Sequence, residues 1–224
     1  MFLTSFAVGP WQANTYVVGA AGSGRCVIVD PGVVAYDPVL AIVEAEGLTV
    51  EGVLLTHGHL YHVASAADVA DHYGVPAWLH EADRELLTES GLMSSAQLAA
   101  QLGVVLREPR DLRLLVGGET LRLAGLDVEV LHAPGHRPGC VMFRVAGAGS
   151  DEDTVFTGDV VFAGSIGRTD LPGGDPDAMV DSLARVVLSL RDASVLLPGH
   201  DRRTTMARER RDNPYLQPAF LRIR

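Results

Sequence analysis

The eight residues THGHLYHV, numbers 56–63, hold three histidines, His57, His59 and His62, with Tyr61 directly before the last. They close an apolar run, GVLLT (52–56), of the kind that forms a strand buried on both faces. On extended backbone, residues two apart point the same way, and a bend into a following helix brings the third ring back toward the first two. Imidazole is the common ligand for zinc and also serves iron and manganese. Three of the chain's eight histidines at one strand end read as a metal site rather than as unrelated loop residues. Tyr61 is the anomaly, because hard metal chemistry favours an acidic side chain there.

Working outward, TYVVGA (15–20) and CVIVD (26–30) are short β-branched strands, the second ending in the turn Asp30-Pro31-Gly32. Residues 37–47 form a helix stopped at Gly47, and VASAADVADHYG (63–74) forms an Ala-rich helix stopped at Gly74. PAWLH (76–80) returns as a strand, followed by a helical stretch from about Glu81. Residues 88–111 are the least readable, with helical character around 94–102. LRLLV, ETLRLAG and LDVEVLHA read as successive strands of a meander, with more strands at 140–145 and 154–157. A helix at 177–191, the strand SVLLP (194–198) and a helix near 205–211 follow. Two β-rich halves, each covered by helices, predict an α/β sandwich of four layers rather than a doubly wound sheet.

Further chemistry stands at other strand ends. His136 lies in the Pro- and Gly-punctuated HAPGHRPGC (132–140), a loop suited to holding a ligand on a rigid scaffold. His132 is placed equally well on composition alone. Asp159 follows a buried-looking strand in FTGDVVF, and His200 ends VLLPGHD. Alone, each reads as a turn or cap residue; strand ends delivering His, His, Asp and His together read as one centre. Cys140 begins an apolar strand and reads as a buried structural thiol, although His136 precedes it by four residues.

The 224 residues suffice for one domain, 1–224, with a substantial core. Net charge is −10, which removes the electrostatic footprint of a nucleic-acid binder, and all 18 basic residues are Arg. No run reaches the roughly 20 apolar residues of a membrane span, and no basic leader opens the chain. Two cysteines are too few for a disulfide framework and fit a reducing, cytoplasmic compartment. A small-molecule substrate is the expected partner; the oligomeric state is open.

In order, THGHLYHV, PGH at His136, TGD at Asp159 and PGH at His200 resemble the metallo-β-lactamase fold superfamily over most of the chain. Within it, DPG at Asp30, GSIGRTDLPGGD (164–175) and TTMARERRDNPYL (204–216) resemble the small glyoxalase II-like (hydroxyacylglutathione hydrolase-like) hydrolases. The resemblance implies an αββα four-layer sandwich and hydrolysis of a thioester or related ester by a metal-bound hydroxide. It implies zinc, one ion or two, with iron as an alternative. His57, His59 and His136 would hold the first metal, His62 and His200 the second, and Asp159 would bridge them. The family motif HxHxDH has Asp where this chain has Tyr61, and that Asp both ligates the second metal and handles a proton. The resemblance therefore implies catalytic roles for Asp159 and for Tyr61, which stands in the place of the motif Asp. A phenol of pKa about 10 is a poor anionic ligand, and its length carries the oxygen past the site unless the ring turns away. The second site is expected to weaken. Segments 163–175 and 88–111 are expected to line the substrate pocket, whose contacts the sequence does not name.

Two alternatives stay open. The run at 164–175 also resembles the persulfide dioxygenases, in which one iron would sit on His57, His136 and Asp159. A non-catalytic binding or regulatory role is the other. Metal content separates them.

Overall fold

A computed structural model describes residues 1–88, 100–147 and 152–221. The first sheet has the order β1 (Phe2–Val8), β2 (Ala13–Gly19), β3 (Arg25–Val29), β4 (Thr49–Leu54), β5 (Ala77–His80), β6 (Leu112–Leu115). Its first three strands are antiparallel and its last four parallel. The second sheet is built from β7 (Thr120–Leu123), β8 (Leu126–His132), β9 (Val141–Val145) and β10 (Thr154–Gly158) as an antiparallel meander. A short hairpin follows, β11 (Val161–Phe162) with β12 (Ser165–Ile166); then β13 (Val195–Pro198) joins β10 in parallel and β14 (Thr204–Thr205) closes the edge.

Strand alternation builds the layers. In β2, Tyr16 and Val18 face the other sheet while Val17 faces away; in β3, Val27 and Val29 face inward while Cys26 and Ile28 face away. The second sheet answers with Val141, Phe143 and Val145 inward and Met142 outward. Helices α1 (Tyr36–Ala45), α2 (Leu60–Val63) and α3 (Ala66–Tyr73) lie on the first sheet's outer face, with Val39, Val43, Val69 and Ala70 in the contact. Helices α4 (Pro176–Arg185) and α5 (Met206–Asp212) cover the second with Met179, Leu183 and Met206. The architecture is αββα. Each large side chain sealed between layers contributes about 1.5–3 kcal/mol relative to exposure.

Several boundaries differ from the sequence reading. Phe2–Val8 is an edge strand whose alternating burial the reading passed over. β6 is no part of the meander: it pairs with β5 in the first sheet, and the chain changes sheets at Gly117-Gly118, both at positive φ. The helix expected over 63–74 is two pieces, and α3 ends at Gly74 in the left-handed region. The helix expected over 177–191 ends at Arg185, before the β-branched pair Val186-Val187, and a 3-10 turn continues it over Val187–Ser189. Asp175 caps α4, accepting from the N–H groups of Asp177 (2.9 Å) and Ala178 (3.0 Å). The helical expectation around 94–102 falls mostly outside the described residues. No helix among the described residues is long and apolar enough to cross a membrane.

Candidate metal centre

Four strand ends converge at one edge of the sandwich. The chain leaves β4 through His57 and His59 into α2, which returns His62 to the same side. The loop after β8 supplies His136, the turn after β10 supplies Asp159, and the turn after β13 supplies His200. His57 and His62 are fully buried, and His136 and Asp159 nearly so.

His57 Nε2 and His136 Nε2 stand 3.1 and 2.9 Å from His59 Nδ1. Asp159 Oδ2 lies 3.9 Å from His57 Nε2, 3.5 Å from His136 Nε2 and 3.5 Å from His200 Nε2. Asp159 Oδ1 faces His62 Nε2 at 3.4 Å. One group able to hold an ion is His57, His59 and His136; a second is His57, His62 and Asp159. His200 reaches the second group through Asp159.

The outer ring nitrogens decide what the inner ones can do. His62 Nδ1 meets Asp30 Oδ2 at 3.0 Å, His136 Nδ1 meets the Arg168 carbonyl at 2.7 Å, and His200 Nδ1 meets the Trp11 carbonyl at 3.0 Å. His57 Nδ1 lies 3.1 Å from Thr56 Oγ1, whose own proton goes to Asp30 Oδ2 at 2.6 Å. Each of these acceptors calls for an N–H on the outer nitrogen, which leaves a lone pair on the inner one when the ring is neutral. Lone pairs crowd together with a carboxylate, and His62 Nε2 and Asp159 Oδ1 are buried without a hydrogen-bond partner among the described residues. Buried polar atoms of that kind ask for an explanation. A divalent cation satisfies them all, so the donor set fits a metal.

Without metal the rings divide into three neutral ones and one that carries charge. Burial, with His62 beside it, holds His57 well below the ordinary imidazole range; burial and His136 bring His59 to about 2; burial also lowers His136. Burial works against a charged His62 too, but Asp159 and Asp30 outweigh it and raise this ring to about 10. Asp159 is held well below the usual carboxylate range: burial opposes the charge, and His62 and His200 more than offset it.

Tight backbone makes this possible. A Cβ at Gly199 would sit 2.3 Å from Asp159 Oδ1 and 2.7 Å from His62 Cε1. Asn14 Nδ2 ties the Pro-Gly-His turn down by donating to the carbonyls of Pro198 (2.9 Å) and Asp201 (2.8 Å). Asp30, at φ 49°, also accepts the Thr56 N–H at 2.8 Å. The sequence reading saw Asp30 only as a turn and a family mark; its place at the end of a buried strand was the signal for more. Nothing in the pattern pointed to Asn14.

Tyr61 carries its hydroxyl past the second set to the first cluster. Its ring lies 5.6 Å from that of Trp11 and 5.5 Å from that of His200, and its hydroxyl ends 3.1 Å from His59 Nδ1. Burial, then the charge of Asp159, raise its pKa, so the phenol stays neutral. His132 stands apart, stacked on His80 at 4.1 Å and donating to the Pro138 carbonyl at 2.8 Å. Cys140 is a buried thiol in the outer core of the second sheet, its pKa pushed well up by burial.

The sequence pattern of the metallo-β-lactamase superfamily matches residues 8–200. The chain belongs to that superfamily. It is 43% identical over 222 residues to an uncharacterized protein of Mycobacterium tuberculosis, covering 97% of this chain and 98% of the other. It is 38% identical over 192 residues to the hydroxyacylglutathione hydrolase GloC of Haemophilus influenzae, covering 86% of this chain and 87% of that one. Among solved structures, the B3 metallo-β-lactamase BLEG-1 superposes with a TM-score of 0.85 at 32% identity, covering 96% of this chain and all of that one. TTHA1623, in a di-iron-bound form, gives 0.78 at 36%, covering 95% of this chain and all of that one. The αββα expectation and the resemblance both hold.

Proposed function

We propose that this member of the superfamily is a metal-dependent hydrolase of a thioester or related ester, with its principal ion held by His57, His59 and His136 beside Asp159. The observation that carries the reading is that His57 and His136 each meet an acceptor on the far side of the ring, which turns their inner nitrogens as lone pairs toward His59 Nδ1. An ion there would supply Lewis acidity toward a carbonyl and lower the pKa of a water near it. The chain's residues would hold that ion at an open site: three imidazoles leave a fourth position free, as in catalytic zinc centres. Asp159 would accept or orient a proton beside the first cluster through Oδ2. The relative named hydroxyacylglutathione hydrolase supports a thioester over other esters.

The second set, His62, His200 and Asp159, would be weak. Tyr61 brings a neutral phenol where the family motif has a carboxylate, and its hydroxyl lies against His59 of the first cluster. Two histidines and one shared carboxylate then remain for a second cation. Zinc and iron both suit this donor set, and the element separates the hydrolase from the persulfide dioxygenase alternative.

The test is thiol release from a panel of acyl-thioesters, using protein with measured metal content. Hydrolysis should appear with the metal, vanish with chelator, and fall by more than about 100-fold in Asp159→Asn, since losing a mere outer-shell partner costs about 10–100-fold. Metal-loaded protein that cleaves no thioester or ester would contradict the proposal.

A further inference from the structure

A carboxylate outside the metal-ligand set joins the two loops that carry the first cluster. Asp83, fully buried, sits on the 3-10 turn Glu81–Leu87 that follows β5. Its Oδ2 accepts the N–H of Gly58 at 2.8 Å, and its Oδ1 accepts the N–H of Gly139 at 2.9 Å. Gly58 lies between His57 and His59; Gly139 stands three residues after His136. The turn is itself anchored by buried Leu86 and Leu87 and by the His80 ring, which accepts the Ala82 N–H at 3.2 Å. Both glycines are needed for the approach. A Cβ at Gly139 would meet Asp83 Cγ at 2.6 Å, and one at Gly58 would meet Leu86 Cδ1 at 2.8 Å and the Asp83 carbonyl at 3.0 Å. Arg137, next to His136, lies 3.7 Å from Asp83 Oδ1 and donates to the Pro172 carbonyl.

We propose that Asp83 is a positioning residue that sets the spacing between the His57/His59 loop and the His136 loop, and so the affinity and geometry of the first cluster. His62 and His200 hang from other supports, Asp30 and the Trp11 carbonyl, so within the second group only His57 shares this clamp. Only a carboxylate offers an acceptor to each N–H; an asparagine would turn an NH2 donor toward one of them. The inference rests on the reading that the first cluster binds metal.

The test compares wild type, Asp83→Asn and the core control Val43→Ala by zinc affinity in chelator competition and by the visible spectrum of the cobalt-substituted protein. Asp83→Asn should weaken zinc binding by about 10–100-fold, the usual effect of losing an outer-shell partner, and shift the cobalt bands; Val43→Ala should lose stability with neither change. Asp83→Asn that keeps wild-type affinity and spectrum overturns the clamp, as does an equal loss in Val43→Ala. Wild type that binds neither metal overturns the metal reading itself, a distinct outcome. Should Asp83→Asn not fold, Gly139→Ala keeps the carboxylate but pushes it aside; the same loss of affinity is required there, and unchanged affinity overturns the proposal.

Discussion

Asp30 shows how one carboxylate can serve both halves of a site. It accepts the N–H and hydroxyl of Thr56, which orients His57, and it meets His62 directly. Asp30→Ala would leave buried donors unpaired, at about 1–3 kcal/mol each, and should lower both the thermal midpoint and metal affinity. Proton competition should distinguish the two metal sets. His57, His59 and His136 are all lowered below the ordinary imidazole value and are neutral near pH 7, so first-site affinity should change little between pH 7 and 8. His62, raised to about 10, is charged below that pH and must lose its proton to bind. Second-site affinity should therefore rise with pH up to about 10, and filling the site at pH 7 should release a proton, measurable by calorimetry in buffers of different ionisation enthalpy. Equal pH dependence at both sites would count against this assignment. The candidate donors could be picked out of the sequence because they follow the ends of strands directly or, for His62, on the short helix after one; their supports could not. Asp83 contacts residues 25 and 56 positions away, and no local pattern records such a pairing.

Elements meet the site through glycines that admit no side chain. Gly199→Ala keeps every ligand yet would place a methyl against Asp159 and His62. Metal content should drop, with a smaller fall in the thermal midpoint; unchanged metal content would mean that the turn after β13 shifts freely. At the start of α4, where the Asp175 N–H also bonds the Gly135 carbonyl beside His136 (2.8 Å), Asp175→Ala should cost about 1 kcal/mol through the lost cap, read as a lower thermal midpoint. Strand and helix types were readable wherever burial alternated or an Ala-rich run ended in glycine. The misreadings share a cause: β6 carries strand propensity whichever sheet it joins, and which one is decided by its parallel register with β5, from Ala77↔Leu112 to His80↔Leu115. That pairing is non-local, and hydropathy along the chain does not contain it.

The whole molecule is a two-sheet frame that brings histidines from both sheets to one edge. Phe143 lies fully buried between the sheets, one face of the frame resting on it; Phe143→Ala should cost about 3–5 kcal/mol, and chemical denaturation would show it. The four layers could be read from two β-rich halves with covering helices, and the family from four short motifs. What the frame selects as substrate could not, because residues 88–111 and 163–175 carry no pattern that names a ligand. The central claim is that Tyr61 leaves one strong metal site out of two. Elemental analysis of protein purified without added metal or chelator tests it most directly, beside Tyr61→Asp. About one zinc or iron per chain in wild type, rising toward two in the variant, is the predicted result; two ions in wild type, or none after zinc is supplied, would contradict it.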